Sequence, residues 1–134
     1  MADCVFCKIV KGELPSDKVY EDQDTVAFLD INPTREGHTL VIPKKHFVNM
    51  EDISEEDLQK VIVVVKKIGK ALKEGLGVES YNICENNDPA AGQIIPHVHF
   101  HLIPRYKGDG LKPWPQAQYP KGRSAQILAK IKIN

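Results

Sequence analysis

His97-Val98-His99-Phe100-His101-Leu102-Ile103 sets three imidazoles two positions apart with apolar residues between them. Successive side chains of an extended strand point to opposite faces. Val98, Phe100 and Leu102 then share one face, suited to a core, and His97, His99 and His101 share the other. Three of the five histidines fall within these five positions, so chance explains them poorly. One ion held by all three is also a poor fit. At about 3.3 Å per residue the outer two stand roughly 13 Å apart at their roots, while ligand bonds to zinc are about 2 Å, so only a neighbouring pair could easily share a metal. A row of imidazoles does suit a substrate carrying phosphates. It offers a nucleophile, hydrogen-bond donors and a general acid near neutral pH.

Outward from this strand, the chain reads as an α+β domain with antiparallel strands and one major helix. Val19-Tyr20-Glu21 and Thr25 to Asp30 are strands joined by the turn residues Asp22-Gln23-Asp24. His38 to Pro43, Tyr81 to Glu85 and His97 to Pro104 supply three more, with loops at 32–37 and 86–96. Cys4 to Val10 reads as a short helix ended by Gly12 and Pro15. Ser54 to Leu76 is the long helix, with Ser54 as N-cap and Glu55, Glu56 and Asp57 in the first turn. Its apolar face is expected to be Leu58, Val61, Ile62, Val65, Ile68, Gly69 and Leu72, and Gly75 and Gly77 mark its end. Val63 and Val64 lie off that stripe and suit either a broader buried face or a subunit contact. After a tail rich in Gly and Pro, Ser124 to Ile133 is expected to form a last short helix.

The 134 residues suit one domain, 1–134, of ordinary composition: 42% hydrophobic and 27% charged. Eighteen basic residues balance eighteen acidic ones, so no net field argues for nucleic acid or a membrane surface. The N-terminal segment is too polar for a signal peptide, and the longest apolar run, Val61 to Val65, is far shorter than a membrane span. Three cysteines are too few, and odd in number, for a disulfide framework, so a reduced, cytoplasmic protein is expected. Cys4-x-x-Cys7 has metal-ligand spacing but forms only half a site, and a surface thiol pair or a redox motif would look alike. Cys84, on an apolar strand, reads as core.

His-x-His-x-His followed by two apolar residues resembles the motif of the histidine-triad (HIT) family. The resemblance extends to Cys4-x-x-Cys7, Val19-Tyr20-Glu21-Asp22, Ala27-Phe28-Leu29-Asp30, the run from Gly37 to His46, and Ala91-Gly92-Gln93, covering about residues 4 to 106. It implies the Hint-like branch, a HIT-like fold with a five-stranded antiparallel sheet extended across a homodimer. The implied activity is cleavage of purine nucleoside phosphoramidates or related adenylated compounds through a covalent nucleotidyl-histidine, releasing AMP or GMP. Dinucleoside polyphosphate hydrolysis, nucleotidyl transfer, a nucleotide-binding scaffold with vestigial activity, and a module whose histidines only hold zinc are the alternatives.

Carried over by position, the resemblance makes His99 the nucleophile on the α-phosphorus. A backbone carbonyl near His97 could hold the proton of its other ring nitrogen. His101 would hydrogen-bond the phosphate or the bridging atom, with His38 and His97 completing the catalytic row. Backbone amides near Gly92 and Gln93 would cradle phosphate oxygens, and Asn86 would reach phosphate or ribose. Asp30 would accept from the ribose hydroxyls, while Phe28 and Ile31 would sandwich the base; a core role for Phe28 and a turn-capping role for Asp30 compete with these. His46 and His97 would join Cys4 and Cys7 around a structural zinc, with no catalytic metal or organic cofactor. Ile94 replaces a hydroxyl residue that other members carry near the leaving group. The tail, 107–134, would lie near the active site, with Trp114 either gating the leaving group or anchoring the tail.

Overall fold

A computed structural model describes residues 3–133. Turn chemistry and period-two patterning give five strands: β1 (Lys18–Glu21), β2 (Thr25–Leu29), β3 (Thr39–Pro43), β4 (Ser80–Glu85) and β5 (Phe100–Arg105). They form one sheet in the order β1-β2-β3-β5-β4, with every neighbouring pair antiparallel. The β1–β2 turn closes because Asp22 Oδ1 accepts from the amides of Asp24 and Thr25.

Alternation along the strands sorts the two faces. Ala27, Val41, Val98, Phe100 and Leu102 join the cluster under the long helix α2 (Glu55–Leu76). Val26, Phe28, Leu40 and Ile42 turn the other way and pack with Phe6, Cys7 and Ile9 of the short helix α1 (Val5–Val10). The histidines therefore lie on the α1 face, beneath a helix that the cysteine pair begins.

Helix α2 is capped as its sequence requires. Ser54 Oγ accepts from the Asp57 amide, and Gly77 closes the C-terminus at φ 65°. Its buried face is Asp57, Val61, Val64, Val65, Ile68, Gly69 and Leu72. The expected stripe is thus corrected at two positions: Ile62 is 45% exposed, whereas Val64 is 2% exposed. Positions 57, 61, 64, 68 and 72 step by three and four, and the sheet lies along that line; Leu58 flanks it, partly buried against the core, and Ile62 is rotated away from it. Val63 is exposed. Gly69 is needed where the Tyr81 ring crosses the helix, since a Cβ there would stand 2.5 Å from Tyr81 Cζ.

The histidine strand is shorter than expected. Its ladder starts at Phe100, opposite Val41 of β3 and Glu85 of β4. One partner runs out at that level and the other two residues further on. β4 ends at Glu85, and β3 ends at Pro43, which has no amide to donate. The Val98 amide goes instead to the Phe47 carbonyl at 2.8 Å. The last helix, α3 (Arg123–Ile131), buries no residue. Among the described residues no helix is long and apolar enough to cross a membrane.

Candidate active site

His99 and His101 keep the expected alternation although His99 lies outside the ladder. Their ring centroids are 4.9 Å apart. Phe6 of α1 stands edge-on to both His97 and His99, at 5.8 and 5.1 Å, so these rings share its side of the sheet. His38, one residue before β3, brings its ring 5.1 Å from that of His101. The rings of His38, His101 and His99 are thus serially in contact, and His46 packs 5.0 Å from His97.

Hydrogen bonds fix the proton on each ring, because a carbonyl only accepts and an amide only donates. His99 Nδ1 lies 2.8 Å from the His97 carbonyl, so Nδ1 carries the proton and Nε2 keeps a lone pair. His38 Nδ1 accepts from the Thr34 amide at 3.0 Å, so its proton sits on Nε2. That Nε2–H points at His101 Nδ1, 2.9 Å away, which leaves the His101 proton on Nε2. Two neighbouring rings are thereby opposite in kind: His99 offers an acceptor nitrogen and His101 a donor. The same wiring argues against a metal between His38, His101 and Asp30, although their ligand atoms lie within 4.8 Å of one another. A neutral His38 cannot accept a proton at Nδ1 and also present a lone pair at Nε2.

Burial lowers the pKa of His99 and His38 from the ordinary imidazole value and pushes His97 and His101 down to about 4. All four rings are neutral at pH 7. His99 is 7% exposed. Among the described residues the buried side-chain polar atoms without a partner are Thr25 Oγ1, Arg35 Nε and Glu85 Oε2. His99 Nε2 bonds to nothing and is not one of them, so the opening over this ring reaches that nitrogen.

Around His97 the geometry differs. Its Nε2 donates to the Pro43 carbonyl at 2.8 Å, which turns an unprotonated Nδ1 toward two thiols. Nδ1 lies 3.5 Å from Cys4 Sγ and 3.6 Å from Cys7 Sγ, and Cys7 Sγ lies 3.3 Å from His46 Nδ1. The four donor atoms fall within 4.8 Å of one another. Tetrahedral coordination with zinc–sulfur bonds of about 2.3 Å and zinc–nitrogen bonds of about 2.0 Å has sulfur–nitrogen edges of about 3.5 Å, so this donor set fits zinc. Cys4 also serves as N-cap of α1, its thiol accepting from the Cys7 amide, which is why a Cys-x-x-Cys turn suits this helix start.

The remaining expected residues divide. Asp30 Oδ1 accepts from the Asn32 amide at 2.9 Å, a turn-capping bond, while Oδ2 lies 3.6 Å from His38 Nε2. Phe28 is 3% exposed and stands edge-on to Phe6, whereas Ile31 is 86% exposed. Strand β2 turns Phe28 into the core, and Ile31 lies beyond its end. At residues 92–93, expected to cradle phosphate, both amides bond within their own loop. The Gly92 amide donates to the Pro89 carbonyl and the Gln93 amide to that of Asp88. The Gln93 side chain is buried and bonds to the Val48 and Ile95 carbonyls and the Asp88 amide, fastening the loop to the 47–49 segment. Asn86 stands half-buried beside Gly92. Cys84 is not core: it pairs with His101 across β4–β5 and lines an open cleft of about 330 Å³ with Thr34, Ile103, Arg105 and Trp114.

Phe6, the Pro43 carbonyl and the Thr34 amide were not anticipated. Phe6 had a signal, lying between the two cysteines. The other two act through backbone groups that every residue type carries.

A five-stranded α+β domain with a wired imidazole pair beside a thiol–imidazole cluster defines a histidine-based nucleotide site of the triad type. The chain belongs to the HIT family: the HIT domain model matches residues 11–108. It is 53% identical to an uncharacterised HIT-like protein of Methanocaldococcus jannaschii over 80% of this chain and 82% of that one. It is 44% identical to an adenosine 5′-monophosphoramidase of Schizosaccharomyces pombe over 96% of this chain and 98% of the relative. A crystal structure of a zinc-bound histidine triad family protein from Mycobacterium smegmatis superposes with a TM-score of 0.79 at 38% identity, covering 96% of this chain and 92% of that one.

Proposed function

We propose that the chain is a nucleotide hydrolase that cleaves adenosine phosphoramidates or related adenylated compounds through a covalent nucleotidyl-histidine. The observation that carries this reading is the opposite protonation of two adjacent rings, His99 with a free Nε2 and His101 with an Nε2–H. His99 Nε2 attacks the α-phosphorus, and the bond from phosphorus to the leaving nitrogen breaks. His101 Nε2–H hydrogen-bonds the departing nitrogen, which takes up its proton from solvent. Water then attacks phosphorus, its proton returns to solvent as the bond to His99 breaks, and AMP leaves. His38 holds the His101 tautomer, and the His97 carbonyl holds that of His99. Asp30, through its second oxygen, is our candidate for the ribose hydroxyls, with exposed Ile31 against the base and Asn86 near phosphate. The S. pombe relative's activity supports the substrate class.

Zinc held by Cys4, Cys7, His46 and His97 would be a closed structural centre tying α1 to the catalytic strand; bound there, it supplies rigidity and no open coordination position. The donor geometry and the zinc-bound relative support it. Such a site needs reduced thiols, which suits the cytoplasm. A homodimer that continues the sheet is supported by β4, which is a sheet edge with exposed Ile83.

Incubation with adenosine 5′-phosphoramidate should release AMP, and rapid quenching should trap one adenylyl group on His99 by mass. Wild-type protein that turns over no member of a panel of adenylated amines, sulfate and anhydrides would overturn the assignment.

A further inference from the structure

We propose that Asp109 is a positioning residue for the His101 hydrogen-bond donor, acting through Arg35 and the Thr34 loop; this rests on the hydrolase reading above. Asp109 lies one residue beyond the segment that the family model matches. Its side chain is only 4% exposed. It grips Arg105, the last residue of β5, with Oδ2 accepting from Nε at 2.7 Å and Oδ1 from Nη2 at 3.2 Å. The same two oxygens accept from the amides of Tyr106 and Leu111, which closes the first turn of the tail. Arg35 reaches this knot from the other side of the site. Its Nη2 donates to the Asp109 carbonyl, and its Nε lies 3.6 Å from Oδ2 with no hydrogen bond of its own.

Arg35 is the neighbour of Thr34, whose amide sets the His38 proton, and its own carbonyl accepts from the His38 amide at 3.0 Å. A clamp on Arg35 therefore holds both ends of the turn around His38. With the turn held, His38 Nε2–H stays aimed at His101 Nδ1 and the His101 proton stays on the outward nitrogen. With it released, His38 can take the other tautomer, and His101 then has no reason to keep its proton facing the substrate. A bidentate arginine pair holds such a geometry more rigidly than a single contact does.

Loss of this positioning should be felt in proportion to how much the leaving group needs that hydrogen bond. An aliphatic amine must be protonated to leave, whereas p-nitrophenolate leaves as the anion. For Asp109→Asn, kcat on an AMP–alkylamine conjugate should fall by about tenfold or more, as loss of a hydrogen bond made chiefly in the transition state does, with KM nearly unchanged. Turnover of the p-nitrophenyl ester of AMP should change far less. Long-range ¹⁵N NMR of the imidazoles should show single tautomers for His38 and His101 in the wild type and mixed tautomers in the variant. If Asp109→Asn fails to fold, Arg35→Gln breaks only the bridge to the loop, leaves the Arg105 pair in place and should give the same pattern. Equal losses on both substrates, or unchanged tautomers, would overturn the proposal. Wild-type protein inert toward both substrates would reject the hydrolase reading alone, and the NMR would still decide the positioning.

Discussion

His97 and His99 are two residues apart on one extended segment and face the same side, yet the structure gives them opposite chemistry. His97 donates from Nε2 to a carbonyl of β3 and turns Nδ1 to a pair of thiols. His99 donates from Nδ1 to the carbonyl of His97 and leaves Nε2 free at the surface of the site. The imidazole is the same; which nitrogen meets a backbone oxygen decides where the lone pair points, toward the thiols for His97 and toward the opening for His99. His97 also contributes to both, since its backbone carbonyl orients the ring that its side chain does not touch. The segment therefore joins the thiol–imidazole cluster to the row of imidazoles at a single residue.

The largest test of this contrast is His99→Ala. It should lower turnover of adenosine phosphoramidate by at least about a thousandfold, as loss of a nucleophile does, while the fold persists by circular dichroism and AMP still binds. Undiminished turnover would break the comparison at its reactive half. Cys4→Ser tests the other half. It should abolish stoichiometric zinc by elemental analysis and lower Tm by on the order of 10 °C, because metal binding adds directly to folding free energy. Zinc retained at one ion per chain in that variant would separate Cys4 from the cluster.

Acid should act on both halves together. His97 and His101 are pushed to about 4, below the ordinary imidazole value, and His38 and His99 are also lowered. The unfolded chain therefore takes up these protons first. Stability should be full above about pH 6.5 and fall as pH drops toward 4, because the unfolded state binds more protons in that window. A Tm that stays level between pH 7.5 and 5 would contradict burial of neutral rings. The smallest effect is expected from Ile62→Lys. Its side chain is exposed, so monomer stability should change by less than about 0.5 kcal/mol in a denaturant titration, whereas Val64→Ala should cost about 1 kcal/mol or more. Reversed magnitudes would restore the helix stripe expected from sequence.

Much of this was legible beforehand. Period-two alternation put the five strands near their observed places and set Val98, Phe100 and Leu102 toward the long helix. The cysteine spacing marked the start of α1 and half of the donor set. The rotation of α2 was not legible, because Ile62 and Val64 are equally apolar and only the line of contact with the sheet chooses between them. Nor was the occupation of the Gly92 and Gln93 amides, since a glycine announces conformational freedom without naming the acceptor its amide will find.

Side-chain order along an extended chain is a local property, so the sequence alone placed the imidazoles in a row on one surface and the thiols within a helical turn of each other. Proton positions are not local. They depend on a Thr34 amide, a Pro43 carbonyl and an Asp109 clamp brought from distant parts of the chain, and backbone donors and acceptors look alike at every position until folding decides which of them meet.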